Sequence, residues 1–328
     1  MIDTSYNNLN DEFFIEIKKH KSFNELSELK QEEFENLFKQ TLHDAKYGKW
    51  LINKFEIVIE GTPFASGTFS TIHDSKWRGL DIAVKCPIYN NIINIIDLLK
   101  EIQIWNTLRH PNLVQFMGFT FSNDNLYILM EKVNGNNLKH YLNNRTNSNN
   151  MYKNKEIVTQ IINVFTFLHN CSPPVIYRDL KPENILIDKN NNIKLTDFGL
   201  SKYFINDDNN EECYNMTGMT GTLRYMAPEV YLKKKYDLKV DIYSLGLIIY
   251  YIFTNEQPFS GYNSNNMDNY MKMDNIIFST SKIKNINLRI IINKCIDKDP
   301  NNRYTIDELY LDWIHFISTS SKSICIIS

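Results

Sequence analysis

The eight residues Tyr177-Arg178-Asp179-Leu180-Lys181-Pro182-Glu183-Asn184 put a carboxylate, an amine and an amide into one short loop ahead of a strand-like run, Ile185–Ile187. Groups of these types serve proton transfer and the neutralisation of anionic charge. A second carboxylate, in Asp197-Phe198-Gly199, follows the next strand-like piece, Ile193–Leu195, and Ala227-Pro228-Glu229 comes further on. Upstream, Ile82-Ala83-Val84-Lys85 ends an apolar run on an amine, and Glu101 follows within a segment of helical period.

Such groups work only if the chain between them holds them still. From Phe55 to Val84, short alternating or β-branched runs (55–59, 68–73, 81–84) are split by glycine and polar clusters, the pattern of antiparallel strands. Residues 92–108 are helical in period, and 113–121 and 126–132 read as two more strands. Beyond Asn134 the long segments are mostly helical, at 136–143, 151–169, 237–254 and 285–297. The order predicts a small β-rich lobe followed by a larger helical one. Residues 1 to about 50 carry no strand pattern. Ser22 with Glu25 reads there as a capping box opening one or two helices that carry Leu26, Leu29, Phe34, Leu37, Phe38 and Leu42.

Composition narrows the class. The chain of 328 residues is 43% hydrophobic and 23% charged, ordinary globular values. A net charge of -2 supplies no basic field for nucleic acid. The five cysteines form no C-x-x-C pair, which argues against a zinc site and a disulfide framework. The polar, acidic start has no signal-peptide character, and the longest apolar run, Leu245–Phe253, is too short to span a membrane. A reduced, cytoplasmic protein is the expectation. Asparagine, roughly one residue in eight, reads as codon bias rather than a prion-like tract, because it comes in short loop-like stretches such as 143–150 and 188–192.

Taken in order, these segments resemble the eukaryotic protein kinases. The resemblance covers about residues 50–318 and implies an α+β, bilobed kinase fold, with an N-lobe over about 54–133 and a C-lobe over about 134–318. Residues 1–49 form a helical extension of unknown role, and 319–328 a tail. It also implies ATP and Mg²⁺ (or Mn²⁺) as cofactors and protein substrates as partners. Lys85 would hold the α- and β-phosphates and be oriented by Glu101. Asp197 and Asn184 would hold the metal, Asp179 would take or orient the proton of the attacking hydroxyl, and Lys181 would place positive charge near the transferred group. Ile72, Ala83 and Leu186 would line the nucleotide site. Met130 would stand behind ATP, and the backbones of Glu131 and Val133 would face adenine.

Two positions depart from the family pattern. The glycine-rich loop reads Ala65-Ser66-Gly67-Thr68-Phe69-Ser70, with alanine and serine in place of the outer glycines. Close approach of backbone amides to phosphate favours glycine there, so slower nucleotide handling is expected. A weakly active or inactive scaffold therefore stays open as a rival to an active enzyme. Tyr177 stands where most kinases carry histidine. With Trp105, Phe116 and Phe198 it could form a stacked apolar column resembling the regulatory spine, anchored by Asp241.

Lys181 and Thr222 resemble Ser/Thr kinases, with dual specificity as an alternative. Trp50-Leu51-Ile52, Lys76-Trp77-Arg78-Gly79 and Tyr225-Met226 resemble the tyrosine-kinase-like group. By the same resemblance, Arg303 pairs with Glu229. Arg178 would receive a phosphate placed on Thr217 or Thr220, ordering the segment between Asp197 and Ala227. The last residues, Cys325-Ile326-Ile327-Ser328, match a C-a-a-X farnesylation signal, and one lipid chain would give only weak peripheral membrane attachment.

Overall fold

Ile82, Val84 and Cys86 alternate with Ala83 and Lys85, and that alternation divides a sheet into two faces. The computed structural model describes residues 14–15, 17–19, 21–67, 70–88, 92–122, 125–145, 150–205, 222–273 and 277–322. By contact density the chain forms two units, one of residues 1–109 and 114–133, the other of 110–113 and 134–328.

In the first unit, β1 (Ile57–Ser66), β2 (Ser70–Trp77), β3 (Leu80–Pro87), β4 (Phe116–Ser122) and β5 (Asn125–Glu131) form one antiparallel sheet in the order β1-β2-β3-β5-β4. Ile82, Val84 and Cys86 cluster with Ile52 and Leu129 on the outer face. Register sets Ile72 opposite Lys85 and Ala83 opposite Met130, so these four share the inner face. Arg78 and Gly79 turn the β2–β3 hairpin with φ of 50° and 83°, a primed turn that follows the strand twist. Helix α1 (Glu28–Gly48) packs on helix α2 (Ile92–Trp105). Trp50, at the exit of α1, meets Phe116 of β4 edge-on and Phe119 at a tilt.

The second unit is mostly helical: α3 (Leu138–Asn143), α4 (Met151–His169), α5 (Pro228–Tyr231), α6 (Lys239–Thr254), α7 (Ser264–Lys272), α8 (Ile286–Cys295) and α9 (Ile306–Lys322). Every residue of α6 from Val240 to Ile252 is buried, so the apolar run too short for a bilayer is the centre of this core. Among the described residues no helix is long and apolar enough to cross a membrane. Small ladders complete the unit: β6 (Gly135–Asn137), β8 (Ile185–Asp188) and β9 (Ile193–Leu195) in one sheet, and β7 (Val175–Ile176) with β10 (Lys202–Tyr203) in another. Asparagine has a local use here. Asn137, Asn150, Asn263 and Asn285 each cap a helix by accepting from a backbone N–H of its first turn.

Several expectations shift. Ser22 lies in a one-turn helix, Lys21–Asn24, and the long helix begins only at Glu28. Its entry is held by the Gln31 amide donating to the carbonyls of Phe23 and Leu26, so the expected capping box does not form the start. Phe55 sits in a 3₁₀ turn capped by Asn53 rather than in a strand. The helices α7 and α9 were not anticipated. For α9 the signal was present, since Ile306, Leu309, Trp313 and Phe316 recur at helical spacing and are all buried.

Candidate active site

In the first unit, β3 and α2 bring Lys85 to Glu101. The Lys85 Nζ donates to both carboxylate oxygens of Glu101 at 2.8 Å, and Glu101 is 3% exposed. Burying this carboxylate is tolerable because a full counter-charge meets it in two-oxygen geometry. Ile72, Ala83 and Met130 share the inner face of the sheet with Lys85. Of the glycine-rich loop, Ala65 and Ser66 close β1 opposite Ile72 and Thr71, and Ser70 opens β2. Gly67 donates its amide to the Ser70 carbonyl at 2.8 Å. Thr68 and Phe69 lie outside the described residues. Glu131 pairs with Ile82, and its carboxylate accepts from the Gln115 amide at 3.1 Å. Val133 is the last residue of this unit before the chain enters the second. A groove lined by Phe55, Ile57, Ile59, Thr120 and Tyr127 contains Val84 and therefore lies on the outer face, away from Lys85.

In the second unit the loop from Tyr177 to Asn184 runs between β7 and β8. Asp241 of α6, fully buried, accepts from the backbone amides of Tyr177 at 2.9 Å and Arg178 at 2.8 Å and faces His169 Nε2 at 3.0 Å. It pins the loop while Arg178 takes a φ of 69°, costly for a non-glycine residue. Tyr177 stands edge-on between Phe165 and Phe198, centroids 5.9 and 5.5 Å away. Its hydroxyl donates to the Thr196 carbonyl, tying the loop to the segment that carries Asp197. Trp105 and Phe116 are in contact within the first unit at 5.9 Å.

Asp179 is 5% exposed. Its Oδ2 accepts from Lys181 Nζ at 2.6 Å and Asn184 Nδ2 at 2.9 Å, while its Oδ1 is buried with no hydrogen-bond partner among the described residues. Burial raises the Asp179 pKa above the ordinary 3.8, Lys181 opposes the rise, and nearby Asp197 adds to it. Because Asn184 spends its amide nitrogen on Asp179, its oxygen end turns elsewhere. Asp197 adopts a φ of 64°, which places a second strained non-glycine residue at this site. A carboxylate and an amide oxygen are hard donors that suit Mg²⁺ better than a soft metal.

Further along, Thr222 opens a 3₁₀ turn, Thr222–Arg224, anchored by Arg224 donating to the carbonyls of Pro258 and Phe259 at 2.8 Å. Arg303 grips Glu229 with two bonds of 2.6 and 2.8 Å, both groups buried. Arg178 donates to the Tyr236 hydroxyl at 2.9 Å and to the Leu200 carbonyl. Thr217, Thr220 and Cys325 lie outside the described residues. Leu186 is half-buried in β8 opposite Asn137. Sequence reading missed His169 and Tyr236, because neither belongs to a local motif and each meets its partner only through the tertiary fold.

A lysine held by a helix glutamate on an antiparallel sheet, with an Asp-Lys-Asn loop fastened to a buried helix, defines the α+β protein kinase fold. The chain belongs to the protein kinase family, since the model of the protein kinase domain matches residues 62–314. Among curated relatives, it is 35% identical to the serine/threonine-protein kinase VIK of Arabidopsis thaliana, over 77% of this chain and 59% of that protein. It is 32% identical to a putative serine/threonine-protein kinase/receptor, R826, of Acanthamoeba polyphaga mimivirus, over 65% of this chain and 13% of that one. It is also 32% identical to the serine/threonine-protein kinase CTR1 of Arabidopsis thaliana, over 60% and 24%. The chain thus spans at most 59% of the length of these relatives.

Proposed function

We propose that this chain transfers the γ-phosphoryl group of ATP to serine or threonine hydroxyls of protein substrates. The observation that carries the reading is the divided role of Asp179. One oxygen is held by Lys181 and Asn184, and the other is buried without a partner among the described residues, an acceptor suited to a substrate hydroxyl. In the transfer, the hydroxyl oxygen bonds to the γ-phosphorus, the bond from that phosphorus to the bridging oxygen breaks, ADP leaves and the hydroxyl proton passes to Asp179. Lys181, paired with Asp179 Oδ2, offsets negative charge on the transferred group. Lys85, held by Glu101, presents an ammonium to the α- and β-phosphates. Asp197 and Asn184 would hold Mg²⁺, which supplies charge neutralisation along the phosphates. Acceptor choice follows from Lys181 and Thr222, and is supported by relatives named as serine/threonine kinases. The tryptophans Trp50 and Trp77 support placement near the tyrosine-kinase-like group.

The test is autophosphorylation with labelled ATP and Mg²⁺, followed by phosphoamino-acid analysis. Wild type should incorporate phosphate on serine and threonine, with Asp179→Asn and Asp197→Ala at background. Incorporation no greater than in those variants would make the chain a scaffold, and phosphotyrosine alongside phosphoserine would make it dual-specific.

A further inference from the structure

Helix α2, which carries Glu101, is covered on two sides. A helix lying on a sheet buries one stripe of its circumference. At about 100° per residue, Leu98, Ile102 and Trp105 fall within about 100° of Glu101, on the side that meets the sheet and Lys85. Ile96, Lys100 and Gln103 fall about 100–160° away, on the far side. Ile96 is nevertheless buried, and α1 is what lies there. Lys100 pairs with Glu33 of α1 at 2.9 Å, and the Gln103 amide donates to the Thr41 hydroxyl at 3.4 Å.

The attachment of α1 is narrow and specific. Its buried residues are Phe34, Phe38, Thr41 and Ala45, a single stripe along an otherwise polar helix. Thr41 is fully buried, its own hydroxyl donating back to the Leu37 carbonyl at 2.7 Å. Phe38 reaches past α2 to Phe121 of β4, centroids 5.6 Å apart, so one stripe touches both the helix and the sheet behind it. The exit of α1 is fastened too. Trp50 donates to the Ala45 carbonyl, and the backbones of Trp50 and Ile52 bond with Phe119 of β4 at 3.0 and 2.9 Å.

We propose that α1 is a built-in clamp on α2, with Phe38 and Thr41 as positioning residues that keep Glu101 on Lys85 without a partner protein. The proposal rests on the reading above, in which that ion pair orients the phosphates. It assigns the extension a role in turnover: α2 is wedged between sheet and clamp, and releasing the clamp frees the helix to carry Glu101 away.

The experiment uses the full chain and two kinds of variant. In Phe38→Ala, amide hydrogen exchange across residues 95–105 should rise about tenfold while β3, β5 and α6 keep their rates. Its kcat should fall about fivefold or more, with KM for a peptide substrate little changed. The surface pair Glu33–Lys100 gives a gentler probe that spares the core. Glu33→Lys or Lys100→Glu alone should lower kcat about twofold, and the double reversal should restore it. The proposal is overturned if α1 exchanges faster while α2 and kcat stay unchanged, if exchange rises equally in β3, β5 and α6, or if the double reversal fails to restore kcat. Should wild type transfer no phosphate, the catalytic reading fails, and the exchange measurement on α2 still decides the clamp.

Discussion

Asp179 combines two properties that pull against each other. In the proposed transfer it has to be ionised to accept a hydroxyl proton, and it is buried, which favours its neutral form. Because its folded pKa lies above the ordinary 3.8, the acid limb of kcat should lie above that value. Removing the opposing cation with Lys181→Ala should move the limb to higher pH, measurable from the pH profile of phosphate transfer. The stability consequence has the opposite sense. A carboxyl group whose pKa is raised on folding favours the native state below its unfolded pKa, and that contribution is lost as pH rises through the folded value. Asp179→Asn should therefore cut kcat by about 10²-fold or more while leaving the melting temperature at pH 7 equal or higher. Gly67 separates fold from ligand in a similar way. Among the described residues a Cβ built there would meet only the Ser70 carbonyl, at an ordinary 3.5 Å, so Gly67→Ala should change stability by less than about 0.5 kcal/mol. Any accompanying loss of nucleotide affinity, read by calorimetric titration, would report close approach of phosphate. The groups of the loop 177–184 were legible because they are adjacent in sequence. The Oδ1 of Asp179, unpartnered among the described residues, was not, since its surroundings are set by the tertiary fold.

Helices and strands show what a local pattern carries and where it stops. The alternation in β3 and the apolar character of α6 were visible because each element obeys one period or one composition throughout. The start of α1 was not, because two polar residues three apart suggested a cap where the side chain of Gln31 in fact closes the turn. Close packing between elements was also invisible. A Cβ on Gly246 of α6 would stand 2.5 Å from Cys295 Cβ and 2.7 Å from Ile296 Cγ2. Replacing a helical glycine by alanine ordinarily gains about 1 kcal/mol, but overpacking costs about 1–3 kcal/mol. Gly246→Ala should on balance destabilise by about 1 kcal/mol or more in urea unfolding, against the usual sign. The pairing of Arg303 with Glu229 was named from sequence, and its energetics follow from burial. Arg303→Met leaves a buried carboxylate without its cation and should cost about 3–5 kcal/mol by the same measurement.

At the scale of the whole chain, order along the sequence anticipated a β-rich unit and then a helical one. It did not anticipate that residues 110–113 leave the first unit and are stitched into the second. There Asn112 donates to Gln160 and to the Ile193 carbonyl, and its own carbonyl accepts from Leu195. No local periodicity encodes such an excursion. Nucleotide binding should be felt globally. A non-hydrolysable ATP analogue with Mg²⁺ at a hundred times its Kd should stabilise by about 2.7 kcal/mol and raise the melting temperature by about 4 °C. Lys85→Met should reduce that increment in a thermal-shift assay. The buried α6 has a further consequence, for biosynthesis rather than catalysis. Its partner α8 ends about forty residues after α6 does, so at about 5–20 residues per second the ribosome delivers it about 2–8 s later. During that interval the nascent chain displays an apolar helix with no cover from α8, and chaperone capture during translation has its natural target there.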